Sequence, residues 1–169
     1  MNLDALFQLT YGLYLITARQ ENQMGGCIAN TLTQVTAEPP RLCLALSKQN
    51  FTTELMVHSG RFCATVLNQS TNRDVIGTFG FRSGREQNKF ASFSAAYDAA
   101  GIPYLPSVSS AQFSCCIEHT LDLDSHLLFI SRLEQAQCLS DVPVLTYTDY
   151  RQIRHGTTPK NAPSFQKQH

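Results

Sequence analysis

The sequence lacks tryptophan, an excess of either charge and any long apolar run. Lysine plus arginine and aspartate plus glutamate number 13 each, so nothing favours a nucleic-acid surface or electrostatic docking on a membrane. No apolar run is long enough to span a bilayer, and no basic and apolar segment of the kind that directs secretion leads the chain. We therefore expect a cytoplasmic protein that binds neither nucleic acid nor membrane.

The six cysteines lack the spacing of a metal or disulfide framework. No Cys-x-x-Cys pair occurs, and several cysteines lie in apolar strand patterns, where a reduced thiol packs as a small hydrophobe. We therefore predict no metal site. A Gly-x-Gly-x-x-Gly segment after a strand is also absent, which excludes a Rossmann dinucleotide-binding unit.

The periodic segments predict a mainly β protein with short helices. Leu42, Leu44 and Leu46 alternate with small apolar residues, the pattern of a strand covered on both faces. Thr52 or Thr53 can cap a first helix that Gly60 ends, and Thr71 a second. The predicted strands cover residues 11–18, 27–36, 42–46 and 61–67, and the predicted helices cover 51–58 and 71–79. Such an order fits a closed or split antiparallel barrel.

The second half of the chain predicts a long hairpin and a tail. Residues 80–106 are rich in loop signals, and residues 113–123 then alternate between apolar and polar with one dry face. The Asp124–Ser125 turn joins them to a partner strand over 126–136. We predict one domain over 1–147 and a polar tail over 148–169, which either packs on a partner subunit or is disordered.

The most informative stretch runs from Asn30 to Asn50. A strand of small polar residues breaks at Pro39–Pro40, and an apolar strand follows that ends in Ser-Lys-Gln-Asn. Three further blocks agree in order and spacing: Tyr-Gly-Leu-Tyr from Tyr11, Phe-Gly-Phe-Arg-Ser-Gly-Arg from Phe79 followed by Lys89-Phe90, and Asp-Ser-His from Asp124. Together they resemble the flavin reductase-like, FMN-binding split-barrel family, which includes reductases that occur alone or fused to a rubredoxin. The resemblance covers nearly the whole chain and implies an antiparallel split β-barrel of Greek-key type with short peripheral helices.

The resemblance implies FMN as cofactor, with its ring edge against the second predicted strand. Backbone groups and small side chains there can match the alternating donors and acceptors of the ring. The residues carried over from the family pattern are Asn30, Thr31, Gln34, Val35 and Thr36. The alternative is that these are ordinary exposed strand residues.

The phosphate of FMN needs hydroxyls, amide donors and cations near a helix start. Five polar residues stand just before, or in, the first turn of the first predicted helix: Ser47, Lys48, Gln49, Asn50 and Thr52. By resemblance, Lys89 adds a cation, and Arg82, Ser83 and Gly84 form a neighbouring loop. The alternative is that both lysines are solvated surface charges.

His126 opens the last long strand, where the family often places a histidine near the flavin or the entering nicotinamide. An imidazole there can donate a hydrogen bond while remaining mostly neutral, so we assign it a catalytic role, with a structural role as the alternative. Phe165, in the tail, is similar to a segment that approaches the flavin in some relatives, although we do not expect it to be essential.

The resemblance implies an NAD(P)H-dependent flavin reductase that acts as a homodimer. NADH or NADPH would bind transiently over the flavin, and electrons would pass to free flavin or to an external redox protein. No general base or nucleophile is needed, because orientation and the redox chemistry of the ring account for hydride transfer. One alternative is an FMN electron carrier that another protein reduces and that serves a rubredoxin-like or diiron partner. Another is a flavin-binding module without turnover.

Overall fold

The computed structural model of the protein describes residues 1–153 and 156–157. Its strands are β1 (Tyr14–Gln20), β2 (Gln23–Ala29), β3 (Leu32–Ala37), β4 (Pro40–Ser47), β5 (Arg61–Leu67), β6 (Ala96–Tyr97), β7 (Pro103–Tyr104), β8 (Ser109–Leu123) and β9 (His126–Cys138). The two α-helices are α1 (Phe51–Ser59) and α2 (Arg73–Phe81). Short 3-10 helices cover Leu3–Gln8 and Pro106–Val108, and a π-helical turn covers Asp149–Ile153.

Seven strands form one antiparallel sheet in the order β2-β1-β5-β8-β9-β4-β3. Its two edge strands, β2 and β3, follow each other in the chain and are separated only by Asn30 and Thr31. Because two residues cannot cross a flat sheet of seven strands, the sheet must curl until its edges approach. The result is a barrel split between β2 and β3, which confirms the predicted fold class.

The predicted strand over 27–36 is wrong, since two strands occupy that region. β2 forms a hairpin with β1, from Gln20 opposite Gln23 to Tyr14 opposite Ala29, whereas β3 pairs with β4. The chain crosses between the two edges at Asn30 and Thr31, where the Thr31 hydroxyl donates a hydrogen bond to the Ala45 carbonyl at 2.7 Å. Sequence reasoning missed this crossing, because no glycine or proline marks it between Cys27 and Thr36.

Both helices occur close to the predicted bounds, but other residues start them. Gly60 ends α1 in the left-handed conformation, with φ of 68°, and donates to the Met56 carbonyl. Asn50 holds the N-cap position of α1, while Thr53 lies inside the helix and donates to the Ser47 carbonyl at 2.8 Å. Asn72, not Thr71, caps α2 through a hydrogen bond from the Val75 amide. The predicted threonine caps are therefore wrong, because these hydroxyls bond to neighbouring loops and strands.

Two large apolar clusters, with a small third one around Ile102 and Tyr104, fill the interior of the described chain. One fills the barrel around Leu44, Phe62 and Phe129, and the other lies between β1, α2 and the segment before the tail, around Leu15, Phe79 and Leu145. An isolated bridge pairs Gly12 with Thr146, and the Tyr147 amide donates to the Tyr11 carbonyl at 3.0 Å. In the predicted tail, Tyr150 packs against the second cluster; Phe165 lies outside the described residues.

The β8–β9 hairpin is confirmed, but the predicted dry face of β8 is only partly correct. Phe113, Cys115 and Ile117 are buried or half-buried, whereas every residue from 118 to 123 is exposed. Bulges between Ser114 and Cys115 and between Ile117 and His119 interrupt the alternation. The covered faces of β4 also differ from the prediction, since Leu42, Leu44 and Leu46 are buried but Cys43 and Ala45 only half-buried.

Candidate functional site

A cavity of about 360 Å³ lies between β2, the start of α1 and the end of α2. This volume falls in the range of roughly 300–1,000 Å³ that is common for small-molecule sites. One end is polar and the other is apolar. The lining residues are Leu13, Gly26, Cys27, Ile28, Ala29, Asn30, Leu46, Ser47, Gln49, Asn50, Phe51, Thr52, Ile76, Phe79, Gly80, Phe81, Arg82, Ser83, Gly84, Lys89, Tyr147, Tyr150 and Thr157.

Two adjacent glycines in β2 let the elements around the cavity come close. A methyl group on Gly25 would lie 2.9 Å from Leu55 Cδ1 and 3.2 Å from Thr52 Oγ1, and one on Gly26 would lie 2.8 Å from Phe79 Cδ1. Since Cβ atoms essentially never come within 3.0 Å of non-bonded heavy atoms, any other residue at either position would force Leu55 or Phe79 to shift. The lack of side chains at Gly25 and Gly26 therefore determines how closely both helices approach the polar end of the cavity.

Lys89 places a buried positive charge at the polar end. Its side chain is 6% exposed, and its Nζ donates to the Gly26 carbonyl at 2.8 Å and to the Phe79 carbonyl at 3.4 Å. Burial lowers the pKa of this ammonium, and the neighbouring Cys27 sulfur acts in the opposite direction. No carboxylate is within ion-pair distance of Lys89 among the described residues. Two carbonyl dipoles and the face of the Phe79 ring, whose centre lies 5.8 Å from Nζ, offset its charge, and this suits the ammonium to receive an anion.

The start of α1 faces the same end of the cavity. Ser47, Gln49, Asn50 and Thr52 line the wall, and the Asn50 side chain makes no capping hydrogen bond. The first amides of a helix have no partner within the helix and carry its partial positive charge. Helix amides and the Lys89 ammonium thus converge from elements far apart in sequence, the arrangement that a phosphate group requires.

Cys27 lies on the cavity wall between these features. Burial raises the pKa of its thiol to about 11, although Lys89 and a hydrogen bond with Thr52 act to lower it. The thiol therefore stays protonated at neutral pH and offers no nucleophile.

The apolar end is built from α2 and from the segment before the tail. Ile28, Ile76 and Tyr147 line it, and Tyr147 packs edge-on against Tyr11 with ring centroids 6.1 Å apart. The Tyr150 hydroxyl donates to the Thr157 carbonyl at 3.1 Å, and burial raises the pKa of this phenol. A flat aromatic ligand would find both apolar surface and aromatic edges here.

Most of the residues predicted for phosphate binding meet at this cavity. Three segments contribute them: residues 47, 49, 50 and 52, residues 82–84, and Lys89. Asn30, at the crossing between β2 and β3, also lines the cavity and is 5% exposed. The residues brought together are Asn30, Ser47, Gln49, Asn50, Thr52, Arg82, Ser83, Gly84 and Lys89.

The predicted ring-edge residues of β3 lie outside this cavity in the single chain. Thr31 bonds to Ala45, the Gln34 amide donates to the Thr36 carbonyl at 3.1 Å, and the Thr36 hydroxyl donates to the Pro39 carbonyl at 2.6 Å. Val35 is 47% exposed. The outer side of this edge strand is open to solvent, because no further strand of the described chain pairs with β3 there.

Lys48 and His126 also lie outside the cavity. Lys48 forms an ion pair with Asp122 at 2.5 Å, which lowers the pKa of that carboxyl group. His126 stands opposite Ser47 in the β4–β9 ladder, and its Nδ1 lies 2.8 Å from the Ser125 hydroxyl. Its Nε2 is buried and finds no hydrogen-bond partner among the described residues.

Sequence reasoning missed the walls contributed by Gly26, Cys27, Ile28, Ile76 and Tyr150. The sequence did contain a signal for Gly26, because two consecutive glycines inside a strand indicate that another backbone segment or a ligand comes close. No comparable signal marked Ile28 or Ile76, since apolar residues at such spacing are usually core.

Comparison with known protein families shows which family the chain belongs to. The model of the flavin reductase-like domain matches residues 6–156. The chain belongs to the flavin reductase-like family. The four sequence blocks that suggested this family all lie within the match.

Two relatives match nearly the whole chain. The high molecular weight rubredoxin of Moorella thermoacetica is 39% identical over 98% of this chain and 72% of its own length. The NAD(P)H ferric-chelate reductase of Archaeoglobus fulgidus is 33% identical, over 96% of each chain. The two relatives differ in name, one a rubredoxin and the other a reductase, and in the share of their length that this chain covers.

A solved structure shows the same fold. The FMN-binding protein of Thermus thermophilus, crystallised with p-hydroxybenzaldehyde, has a TM-score of 0.74 at 24% identity, covering 83% of this chain and 82% of that one. Within residues 1–153 and 156–157, no helix is long and apolar enough to cross a membrane. The same residues contain no group of three or more His, Cys, Asp or Glu side chains that could hold a metal ion.

Proposed function

We propose that this protein is an NAD(P)H-dependent flavin reductase that binds FMN in the cavity beside β2. The observation that carries the proposal is the buried Lys89 ammonium, which shares the polar end of the cavity with the start of α1. A buried cation without a carboxylate partner is costly unless a ligand neutralises it. The phosphate of FMN supplies that charge.

The residues at the polar end fit a phosphate in number and type. Ser47, Thr52 and Ser83 offer hydroxyls, the start of α1 offers amides, and Lys89 and Arg82 offer cations. A dianionic phosphate prefers such a mixture of charge and directed donors. We assign these groups to FMN binding, together with Gln49, Asn50 and Gly84.

The ring of FMN would then extend toward the split between β2 and β3, with Asn30 beside it. In this arrangement Thr31, Gln34, Val35 and Thr36 line the ring edge from the open side of β3, and the apolar end of the cavity packs against the ring. FMN supplies the chemistry, since its ring accepts a hydride from the nicotinamide. The protein contributes position and charge, and needs no general base.

The nicotinamide would bind over the exposed ring face, near the start of β9. The unpartnered Nε2 of His126 is a buried polar atom in need of a hydrogen-bond partner. We assign it to orienting the nicotinamide or the ring. The pairing of Lys48 with Asp122 holds the turn before β9 against the end of β4, and this makes Lys48 a positioning residue for that turn.

The test is anaerobic. The purified protein is loaded with FMN, its visible spectrum is recorded, and NADH or NADPH is added without any other protein. Loss of the oxidised flavin absorption within seconds is the expected result. If FMN binds but neither nicotinamide reduces it, the protein is not a reductase.

A second candidate function is that of an FMN electron carrier. It is favoured by the relative named high molecular weight rubredoxin, of which this chain matches 72%. A separate rubredoxin-like or diiron protein would then exchange electrons with bound FMN. Reduction of the flavin only after a reduced redox protein is added would support this function over the first.

We further propose that the protein is a cytoplasmic homodimer. Leu121 and Leu123 on the far half of β8 are 48% and 49% exposed, and Val35 on β3 is 47% exposed. A second copy would cover these apolar side chains. All six cysteines are free, which is usual in a reducing compartment. Sedimentation velocity tests the dimer, and Leu121→Asp should weaken it; a monomeric wild type would contradict the proposal.

A further inference from the structure

Two segments that are far apart in the chain supply polar groups to the same end of the cavity. One is the start of α1, which contributes Asn50 and Thr52, and the other is the turn at residues 82–84. A binding site is precise only when its donors are held in a fixed relative geometry by residues around them. A connection between the turn and the helix would therefore prepare this end of the site before a ligand arrives.

Gly84 and Arg85 provide such a connection. A methyl group on Gly84 would lie 3.0 Å from Phe51 Cδ1, so the turn packs closely against the first residue of α1. The guanidinium carbon of Arg85 lies 5.1 Å from the centre of the Phe51 ring, and the guanidinium forms an ion pair with Glu54, 31 residues away in the chain. Within the turn, the Arg85 amide donates to the Ser83 hydroxyl at 3.2 Å.

The ion pair itself stands outside the space for the ligand. Phe51, Ser83 and Gly84 line the cavity, whereas Arg85 and Glu54 do not. Their side chains are 51% and 42% exposed, so solvent and salt screen the field of both charges. The pair can therefore act on a bound ligand chiefly through the two segments that it joins.

We propose that Arg85 and Glu54 are positioning residues for the phosphate of FMN, because their ion pair holds the turn at residues 82–84 against α1. The proposal rests on the proposed function, which places the phosphate between these two segments. With the pair intact, the turn is already in place when FMN binds. Without the pair, the turn is ordered only on binding, and the conformational entropy lost at that moment lowers the affinity.

The alternative is that Arg85 binds the phosphate directly, and Glu54 distinguishes the two roles. If Arg85 bound the phosphate, Glu54 would compete with the ligand for the guanidinium, so Glu54→Gln would raise FMN affinity. If the pair positions the turn, Glu54→Gln breaks the connection and lowers FMN affinity. The direction of the change therefore decides between direct binding and positioning.

The experiment is a calorimetric titration with FMN and riboflavin at an ionic strength of about 0.15 M, which screens exposed charges. Arg85→Ala should lower FMN affinity about three- to tenfold, and Glu54→Gln should give part of this loss. The double variant should bind FMN no more weakly than Arg85→Ala, because both changes break the same connection. Riboflavin, which has no phosphate, should keep its affinity in every variant.

Arg61→Ala and Glu134→Gln are the matched controls. This ion pair joins β5 to β9, its side chains are 42% and 26% exposed, and neither residue lines the cavity. Both controls should retain the wild-type affinities for FMN and riboflavin. Since exposed ion pairs contribute little to stability, all variants should unfold close to the wild-type Tm.

The possible failures are distinguishable. If wild type binds neither flavin, the proposed function is wrong. A rise in FMN affinity in Glu54→Gln overturns only the positioning role, because Arg85 would then bind the phosphate itself. Unchanged FMN affinity in Arg85→Ala also overturns it. Equal losses for FMN and riboflavin, together with a lowered Tm, would show that the pair supports the fold as a whole rather than the turn.

Discussion

The polar end of the cavity and the outer side of β3 carry similar residue types but use them differently. At the cavity, Lys89 contacts two carbonyl oxygens and the Phe79 ring but no carboxylate of the described residues, and the residues that start α1 line the wall. Along β3, Thr31, Gln34 and Thr36 each donate to a backbone carbonyl within their own hairpin. The cavity therefore presents charge that needs a ligand, whereas β3 presents neutral groups whose hydrogen bonds are already made.

The difference predicts that the two regions recognise different parts of one ligand. A buried cation should govern the affinity for the phosphate, while neutral groups on an edge strand should govern the fit of the ring. Riboflavin has the ring but no phosphate. The ratio of FMN to riboflavin affinity therefore separates the two regions.

The largest expected effect comes from Lys89→Met, which removes the charge and keeps most of the apolar stem. FMN affinity should fall about 10- to 150-fold, because a hydrogen bond to a charged group is worth roughly 1.5–3 kcal/mol. Riboflavin affinity should stay the same. Quenching of flavin fluorescence measures both constants.

Lys48→Met is the matched control for this change. Lys48 is paired with Asp122 outside the cavity, so its loss should leave the ratio of the two affinities unaltered. Equal losses for FMN and riboflavin in Lys89→Met would contradict the assignment of Lys89 to the phosphate.

The next effect is a dependence of FMN affinity on pH. Burial lowers the pKa of Lys89, so in the ligand-free protein the ammonium loses its proton at a lower pH than a solvated lysine does. The phosphate binds the protonated form. FMN affinity should therefore decline by up to about tenfold per pH unit once the pH rises through this lowered pKa.

Two comparisons isolate the Lys89 proton in that titration. Riboflavin binding reports any ionisation of the ring, and Lys89→Met removes the group that titrates. A pH profile for FMN that persists unchanged in Lys89→Met would assign the proton to another group.

Much of this charged end could be predicted from the sequence, because it depends on local signals. Gly60 is a typical residue at the end of a helix, and it marks where α1 ends. The extent of the helix then places the polar residues before Phe51 at its start. The role of Lys89 in phosphate binding was predicted only from the resemblance to the family. Its burial depends on Gly26 and Phe79, which are 63 and 10 residues away in the chain, and no local pattern encodes such a contact.

The β3 side of the site was less accessible to sequence reasoning. The sequence predicts one strand over 27–36, but the barrel opens between Ala29 and Leu32, and this follows from which strands pair. Likewise, the dry face expected on β8 requires a covering surface. In the described chain Leu121 and Leu123 find none, so the sequence pattern could not show whether this chain or a second copy provides it.

A smaller effect is expected for His126→Ala. Its Nε2 is buried and has no hydrogen-bond partner among the described residues, so we expect it to bond to the nicotinamide or the ring. Loss of one such neutral hydrogen bond, worth about 1 kcal/mol, should slow NADH oxidation about fivefold. FMN should remain bound, because His126 does not line the cavity. Steady-state rates and the visible spectrum report the two properties.

His119→Ala serves as the control, since His119 is exposed on the far half of β8. If both variants retain wild-type rates, His126 is structural. A loss of bound FMN in His126→Ala alone would instead place the histidine in cofactor binding.

The smallest effect is expected for Gln34→Ala on β3. A neutral contact to the ring at an exposed edge is worth about 0.5 kcal/mol, so affinity should fall roughly twofold, and equally for FMN and riboflavin. Thr33→Ala, on the alternate face of the same strand, should change neither. If Gln34→Ala lowered the affinity for FMN but not for riboflavin, β3 would contact the phosphate rather than the ring, and the proposed division between the cavity and β3 would be wrong.

The glycine pair of β2 has a consequence for variation of this protein. The smallest possible side chain at Gly25 or Gly26 meets α1 or α2 within 3.0 Å. A saturation library should consequently show two adjacent positions in mid-strand that tolerate fewer replacements than neighbours such as the half-buried Met24. Engineers who wish to retune the pocket would have to begin from the helices, whose residues can be exchanged, rather than from the strand beneath them.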